Sequence, residues 1–421
     1  MLDPLATASV KVNMLPLASK VDPLDGIQEA RKGLIEKALS GIPLSDEDSM
    51  NLASSSQSEL VSICQAASII RNKGKGIDVT FSPKVFIPLT QLCKDFCGYC
   101  TFRKTPSETS NLYMTQEEVL NLGLKGQSMG CTEALFTLGD RPEQRYPLAK
   151  SWLRSHGCLT TIQYLQNSCS LILNKTNMLP HSNPGILSRK QLQSLKLVNA
   201  SIGIMLETIS DRLTKSGMPH DRATSKWPKV RLKTLNNAGS LKIPFTTGIL
   251  VGIGETRKER VEAILAIRES HRQHGHIQEV IVQNFRAKKN TQMFNHPNTS
   301  TEDLLWTVAM TRLVLGPNAN IQVPPNLNSS DYPLFLLAGI NDWGGVSPLT
   351  IDHVNPESPW PKLEELHENT KALGFNLKPR LPVYPEYIID RKPYLSENIR
   401  DRIQGLVDST GYVKGGIARY V

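Results

Sequence analysis

The stretch LCKDFCGYCTFRK, Leu92 to Lys104, sets Cys93, Cys97 and Cys100 in a CxxxCxxC array directly after a strand-like run, Val85–Thr90. Thiolates on one short loop can hold three corners of a metal cluster, and a [4Fe–4S] cube with only three protein sulfurs keeps one iron open to an outside ligand. The open iron is where chemistry can occur. A tetrahedral structural zinc site would want four closed ligands. No second cysteine pair follows, and Cys131, Cys158 and Cys169 are scattered singly. Part of a zinc site, or a purely structural group of cysteines, is the competing reading of the array.

The elements that must position such a loop alternate along the chain. Val85–Thr90, Glu133–Leu138, Leu159–Tyr164, Ser201–Glu207, Phe245–Val251 and Glu279–Phe285 read as strands, and Ile321–Val323 adds a seventh. Helical patterns lie between them, around Thr115–Met129, Gln144–Ser155, Leu165–Asn174, Arg189–Leu195, Lys229–Ala238 and Thr256–His274. Strands separated by helices require parallel pairing with right-handed crossovers. The expected class is therefore α/β, a TIM-like barrel of parallel strands, partial or complete.

In a parallel barrel the active site lies at the C-terminal strand ends. That rim would carry Gly139, Asp140, Arg141 and Glu143 from TLGDRPE, and Glu207 from MLE. A carboxylate at Glu207 could accept hydrogen bonds from a ribose diol, or simply pair with Arg212 or Arg222. GILVGIGET contributes Gly248, Gly252 and Gly254, where glycine lets the backbone approach a ring closely. VQNFRAK adds Gln283, Asn284 and Arg286, groups suited to a heterocycle rich in carbonyls and ring nitrogens, or to solvent.

Outside the barrel the patterns change. Met1–Asp25 shows no period, and a helical face of Ile27, Ala30, Leu34, Ile35 and Ala38 then runs to the stop at Gly41-Ile42-Pro43. Ser45-Asp46-Glu47-Asp48 reads as an N-cap with an acidic first turn, and another helix spans about Glu59–Arg71. The expected division is an N-terminal arm and helical prelude over 1–80, the barrel over 81–326, and a C-terminal segment over 327–421 with helices near Trp360–Leu373 and Glu397–Val407. The chain carries 48 Lys and Arg against 39 Asp and Glu, a net charge of +9, without a basic run interleaved with aromatics. A nucleic-acid partner is therefore not expected. No apolar run is long enough for a membrane span, no secretory signal opens the chain, and an odd cysteine count with a metal-type array fits a reducing, cytoplasmic setting.

The cysteine array resembles the signature of the radical S-adenosylmethionine (SAM) superfamily. That resemblance implies a [4Fe–4S] cluster on Cys93, Cys97 and Cys100, with SAM on its open iron. It also implies Tyr99 against the adenine, the Gly139-Asp140 turn at the SAM amino group (Asp140 departing from the usual Glu), and Gly252 and Gly254 in the adenine-contacting run. Six longer stretches, FIPLTQLCKDFCGYCTFRK, LFTLGDRPE, LPHSNPG, IPFTTGILVGIGET, VIVQNFRAK and GINDWGGVSPLTIDHVNPESPWP, are together similar to the CofG-type subunit of 7,8-didemethyl-8-hydroxy-5-deazariboflavin (FO) synthase, from about Phe86 to Trp360. The resemblance implies radical cyclisation of a hydroxybenzyl-ribityl-diaminouracil adduct, with loss of ammonia, on the way to coenzyme F-420. It implies as partners a separate CofH-type radical SAM subunit that supplies the adduct, and a reductant protein. Substrate contacts are expected at Asn341, Asp342, Trp343 and His353, with Trp343 stacking on a ring and Asp342 or His353 moving a proton; His181 is a further candidate. The competing readings are a related radical SAM enzyme, an RNA-modifying one, and a non-enzymatic iron–sulfur carrier.

Overall fold

One long strand, β1 (Asp78–Thr90), joins the parts of the molecule, seen here in a computed structural model that describes residues 22–421. The first 21 residues of the expected N-terminal arm lie outside the described residues. The first half of β1 pairs with β8 (Asp342–Val346) and β9 (Asn376–Pro379), and its second half pairs with β2 (Glu133–Leu138), all in parallel. From β2 the sheet runs through β3 (Leu179–Asn183), β4 (Ser201–Gly203), β5 (Phe245–Val251), β6 (Ile277–Asn284) and β7 (Ile321–Gln322) to β8. Eight parallel strands thus close into a barrel, with β9 added outside. The barrel is complete rather than partial. Near its end, the register of β1 against β2 shifts between Pro88 and Thr90. A proline has no N–H for the ladder, so pairing lapses there and the chain leaves the barrel as the cysteine loop.

Two strands differ from expectation. Leu159–Tyr164 is not a strand: Thr160 caps a helix, Thr161–Lys175, its hydroxyl accepting from the Gln163 N–H at 3.1 Å. A short apolar run cannot be told from the start of a buried helix by periodicity alone, and here the cap decides. The third strand is Leu179–Asn183 instead, LPHSN, whose polar residues look unlike a strand because His181 and Asn183 turn into the barrel. β8, DWGGV, is a further barrel strand, and it lies inside the segment expected to follow the barrel. Its glycines answer close approach: a Cβ on Gly345 would sit 2.2 Å from the Lys84 side chain, and one on Gly344 (φ +73°) 2.2 Å from Gln322 Nε2.

The prelude packs on the outside of the barrel. Helices Glu29–Leu39, Asp46–Leu52 and Leu60–Lys75 follow the expected pattern, the second opening on a reciprocal Ser45–Asp48 capping box. Leu60–Lys75 lies against Thr301–Leu315 so closely that a Cβ on Gly74 would meet the Pro317 carbonyl at 2.2 Å. Buried Arg312 stitches this side together, donating to Gly339 O at 2.8 Å, Ala319 O at 2.7 Å and Asn341 Oδ1 at 2.9 Å. Asn341 also accepts from the Ile321 N–H at 3.0 Å and donates to Asn320 Oδ1 at 2.9 Å, so its amide is consumed by the fold rather than offered to a substrate.

Trp343 is likewise not a surface for stacking. Side chains alternate between the faces of a strand, and while Asp342 turns toward Arg380, Trp343 turns outward under the helix Leu363–Ala372. There it is fully buried, with Nε1 donating to Thr370 Oγ1 at 3.1 Å and the ring edge-on to Tyr332 at 5.2 Å. Trp343→Ala should therefore cost about 3–5 kcal/mol of stability, the range for deleting a large buried aromatic. Urea unfolding of the variant would check this, and a loss under 1 kcal/mol would return Trp343 to the exposed role.

Candidate active site

The C-terminal strand ends open into a cavity of about 390 Å³ that runs from the cysteine loop down into the barrel. Cys93, Cys97 and Cys100 all border it as free thiols. Among the described residues, no three His, Cys, Asp or Glu side chains converge on a point that one metal ion could fill. An all-thiolate set that shares a cavity wall but not a single-ion point fits a polynuclear iron–sulfur cluster better than a zinc ion. Burial pushes the Cys93 thiol up to about 12, while the Asp140 N–H donates to its sulfur at 3.2 Å. Gly139 makes that approach possible, since a Cβ there would lie 1.9 Å from the Leu92 carbonyl and 2.7 Å from Cys93 Cβ.

Asp140 supplies a second feature of the rim. Its Oδ2 accepts weakly from the Ile186 N–H at 3.4 Å; its Oδ1 lies 3.5 Å from the Arg141 guanidinium yet is buried without a hydrogen bond. Burial pushes this carboxyl up. A buried acceptor left open is costly, and here it borders the cavity, where an ammonium would satisfy it. That fits the amino end of an amino-acid-like cofactor such as SAM. Glu143 does not join it, because its carboxylate binds the N–H and hydroxyl of Thr161 at 3.2 and 2.6 Å.

Glu207 is held by more partners than expected. Its backbone is left-handed, φ +65°, bridging to Ile249 of β5, a strained conformation for a non-glycine residue. The carboxylate accepts from the Tyr99 hydroxyl and the Lys226 ammonium, with His220 Nε2 at 3.1 Å and Arg231 at 3.6 Å. Burial opposes its charge, but Lys226, Arg231 and His220 together hold the carboxyl well below its ordinary value. Neither Arg212 nor Arg222 is a partner: Arg212 pairs with Glu259 at 2.8 Å, and Arg222 lies over Phe96. Glu207 thereby fixes Tyr99 and Lys226 beside the cysteine loop.

Deeper in the barrel lies a second ionic group. Arg380 grips Asp342 through two bonds, 2.6 and 2.9 Å, and reaches Glu279 at 3.0 Å. Glu133 accepts from the Ser82 hydroxyl, and His181 sits between Ser201 Oγ at 2.5 Å and Asn183 Oδ1 at 3.1 Å. Lys84 alone is unpartnered: among the described residues its ammonium has no hydrogen bond or ion pair, and it lies 4.5 Å over the Trp360 ring and 5.6 Å over Phe86.

The comparisons with known proteins agree with this geometry. Residues 87–267 match the family model described as "Radical SAM superfamily". The chain is 49% identical over 336 residues to 7,8-didemethyl-8-hydroxy-5-deazariboflavin synthase of Methanopyrus kandleri, covering 80% of this chain and 100% of that protein. The chain belongs to the deazariboflavin (FO) synthase family of radical SAM proteins. It is also 44% identical to an FO synthase of Nocardia farcinica and 43% identical to one of Mycobacterium tuberculosis, each match covering 94% of this chain but about half of the longer relative, 47% and 48%. Among solved structures, the [FeFe]-hydrogenase maturase HydG aligns at TM-score 0.70 and 16% identity, covering 94% of this chain and 83% of that one. Methylornithine synthase (PylB) aligns at 0.63 and 17%, covering 82% and 97%. At these identities the likeness is one of fold.

Within this FO synthase fold, several expected positions move. Gly252 and Gly254 do not border the cavity; Leu250 does. They form a left-handed turn, φ +96° and +104°, closed by Glu255 accepting from the Gly252 and Ile253 N–H groups at 2.7 and 2.8 Å, and a Cβ on Gly252 would lie 2.1 Å from Thr299 Oγ1. His353 is half-buried outside the cavity, its ring 5.3 Å from Phe86; the neighbouring Asp352 and Asn355 line the wall. Asp342 is fully buried behind Arg380, positioning that guanidinium rather than facing the cavity. Gln283, Asn284 and Arg286 do border it, as does His181. Sequence reading missed Lys84, Glu133, Glu279 and Arg380. The one legible trace was a lysine inside the otherwise apolar run PKVFIPL, since a charge in a strand buried on both faces must point at something polar.

The deep group makes stability depend on pH. Burial, with Asp342 adjacent and Arg380 only partly offsetting it, pushes the Glu279 carboxyl from 4.5 up to about 7. Between those values the folded state keeps a proton that the unfolded chain has lost, so this group's contribution falls as pH rises from 4.5 to 7 and then levels off. Glu279→Gln should therefore gain stability over wild type as pH is raised from about 5 to about 8. Urea titrations at both pH values would show it; parallel profiles for the two proteins would refute it.

Proposed function

We propose that this chain carries out the ring-closing half of deazaflavin synthesis, converting a hydroxybenzyl-ribityl-diaminouracil adduct to FO with loss of ammonia. The observation that carries the reading is one cavity with the three-cysteine loop at its mouth and an ion-rich floor with an unpartnered lysine below. The family relation supports the same product. The other half-reaction falls to a second radical SAM unit of the CofH type, outside these 421 residues, and the electron comes from a reductant protein.

Each residue has a job in this reading. Cys93, Cys97 and Cys100 hold the cluster, and the open oxygen of Asp140 receives the SAM ammonium. Tyr99, fixed by Glu207, presents its ring beside the last cysteine. With both groups bound, the site would supply a 5′-deoxyadenosyl radical able to take a hydrogen atom from the substrate. Lys84, flanked by the Phe86 and Trp360 rings, donates to a carbonyl of the pyrimidinedione, while Glu133, Gln322 and Asn183 offer acceptors and donors to a polyol chain. The wall from Asp352 to Asn355 is braced, Asp352 accepting from Asn326 at 3.0 Å and from the Val354 N–H at 2.9 Å, and Asn355 accepting from Lys288 at 2.7 Å.

The deciding experiment is anaerobic reconstitution, with SAM, reductant and purified adduct, following 5′-deoxyadenosine and the deazaflavin chromophore together. Wild-type protein that cleaves SAM but never yields the chromophore would rule the function out. Ser substitutions at Cys93, Cys97 or Cys100 should each remove iron, sulfide and both products, whereas Ala at Cys131, Cys158 or Cys169 should not. Lys84→Met should still give 5′-deoxyadenosine but lose roughly 10- to 100-fold in chromophore formation, the effect of about 1.5–3 kcal/mol for a charged hydrogen bond. An unchanged chromophore yield would remove Lys84 from the substrate site.

A further inference from the structure

The outer side of the cysteine loop carries an arrangement that the reaction inside the cavity leaves unexplained. Phe96, between Cys93 and Cys97, is half-buried and tied by its N–H to the Arg222 carbonyl at 2.9 Å. Three guanidinium groups surround its ring, those of Arg103 at 4.1 Å, Arg145 at 4.2 Å and Arg222 at 4.9 Å from the centroid. Lys94 stands two residues before Phe96, and Arg145 reaches its carbonyl at 3.2 Å. Among the described residues none of these four cations forms an ion pair, though Lys94 lies within electrostatic reach of Asp140 and Arg103 of Glu108, and Arg103 Nη1 is buried with no hydrogen-bond acceptor. Arg145 and Arg222 are exposed and, like Phe96, do not border the cavity, whereas half-buried Arg103 lies at its edge, between the cavity and the outer face.

Stacking on one ring only partly offsets the mutual repulsion of gathered cations. Arg31, Arg212, Arg260, Arg268 and Arg380 each have a carboxylate partner, and the buried Arg71 and Arg312 donate instead to backbone carbonyls, whereas Arg222 has neither. An unneutralised group at the surface therefore awaits an anionic partner from outside. Its position says which kind: Phe96 is one residue from Cys97 and three from Cys93, on the solvent side of the loop. The patch is also compact, unlike the extended basic groove with stacking aromatics that tracks a nucleic-acid strand.

We propose that Lys94, Arg103, Arg145 and Arg222, gathered around Phe96, form the docking surface for a small acidic electron-carrier protein. One electron passes from the reduced carrier, which is oxidised, to the cluster on the loop, which is reduced; no bond or proton moves. The proposal rests on the reading of the loop as a cluster site.

The test uses reconstituted protein and a flavodoxin as the acidic carrier, with the double variant Arg145→Glu, Arg222→Glu checked for unchanged iron content and circular dichroism. Calorimetry should show oxidised flavodoxin binding wild type, with affinity falling as salt rises, and binding at least tenfold weaker in the variant. SAM cleavage driven by reduced flavodoxin should fall by a similar factor in the variant, while cleavage driven by dithionite stays equal to wild type. Equal flavodoxin affinity and equal flavodoxin-driven cleavage in the two proteins would overturn the docking surface. So would a single-stranded oligonucleotide whose binding is lost in the variant when flavodoxin binding is not. Wild type that never cleaves SAM even with dithionite would instead overturn the cluster reading, and the calorimetry would still decide the surface on its own.

Discussion

A barrel of parallel strands turns half of its strand residues toward an interior that water reaches only from the open end, so a charge placed there is costly unless it finds a partner. The whole site depends on that constraint. Arg380, fully enclosed, is satisfied by Asp342 from β8 and Glu279 from β6, which ties the strands on either side of β7 together through one guanidinium. Three buried charges in contact carry a net negative balance. Burial and the neighbouring Asp342 push the Glu279 carboxyl up against the pull of Arg380, which eases that balance as pH falls. Breaking the Arg380–Asp342 pair would expose the floor to two uncompensated charges, which is why Asp342 belongs to the scaffold of the site rather than to its reacting surface.

The mouth of the barrel has the opposite balance. Around Glu207 stand Lys226, Arg231 and His220, so that carboxylate is over-supplied with positive charge and stays ionised despite its burial. A loop of three thiolates carrying iron would add negative charge next to Lys226, and Lys226 already feels Cys97 as a neighbour. The cationic surplus at the mouth and the anionic surplus at the floor divide one cavity into two environments. The first suits a cluster of anionic thiolates; the second offers charged and neutral hydrogen-bonding groups side by side.

The sequence carried the site's chemistry more legibly than its walls. Three cysteines in fixed spacing announce themselves because few other arrangements need them, and the strand-helix alternation left little choice of architecture. Glu207 and Asp140 were readable as rim residues because strand ends are. What failed to read had a physical cause in each case. Trp343 and Asn341 stood in a conspicuous motif, but a motif does not say which face of a strand a side chain takes, and β8 itself was hidden by two glycines that exist to let Lys84 and Gln322 pass. LPHSN hid β3 for the inverse reason, since inward-facing His181 and Asn183 make a barrel strand look like a loop.

Lys84 shows why such residues escape notice and why they matter. Its nearest carboxylates are engaged elsewhere: Glu133 accepts from Ser82, and Asp352 is bound by Asn326 and Asn355. Burial, reinforced by Arg380 and only partly offset by Glu133, Asp352 and Glu279, pushes the lysine below its ordinary value, while two aromatic faces favour its charged form. An ammonium kept between rings, with acceptors in view but already bonded, has all of its donors available to whatever enters the cavity. A ligand carbonyl placed there would recover hydrogen bonds that the empty protein forgoes. Lys84 thereby selects a ligand by polarity, favouring one that carries an acceptor to the floor of the cavity.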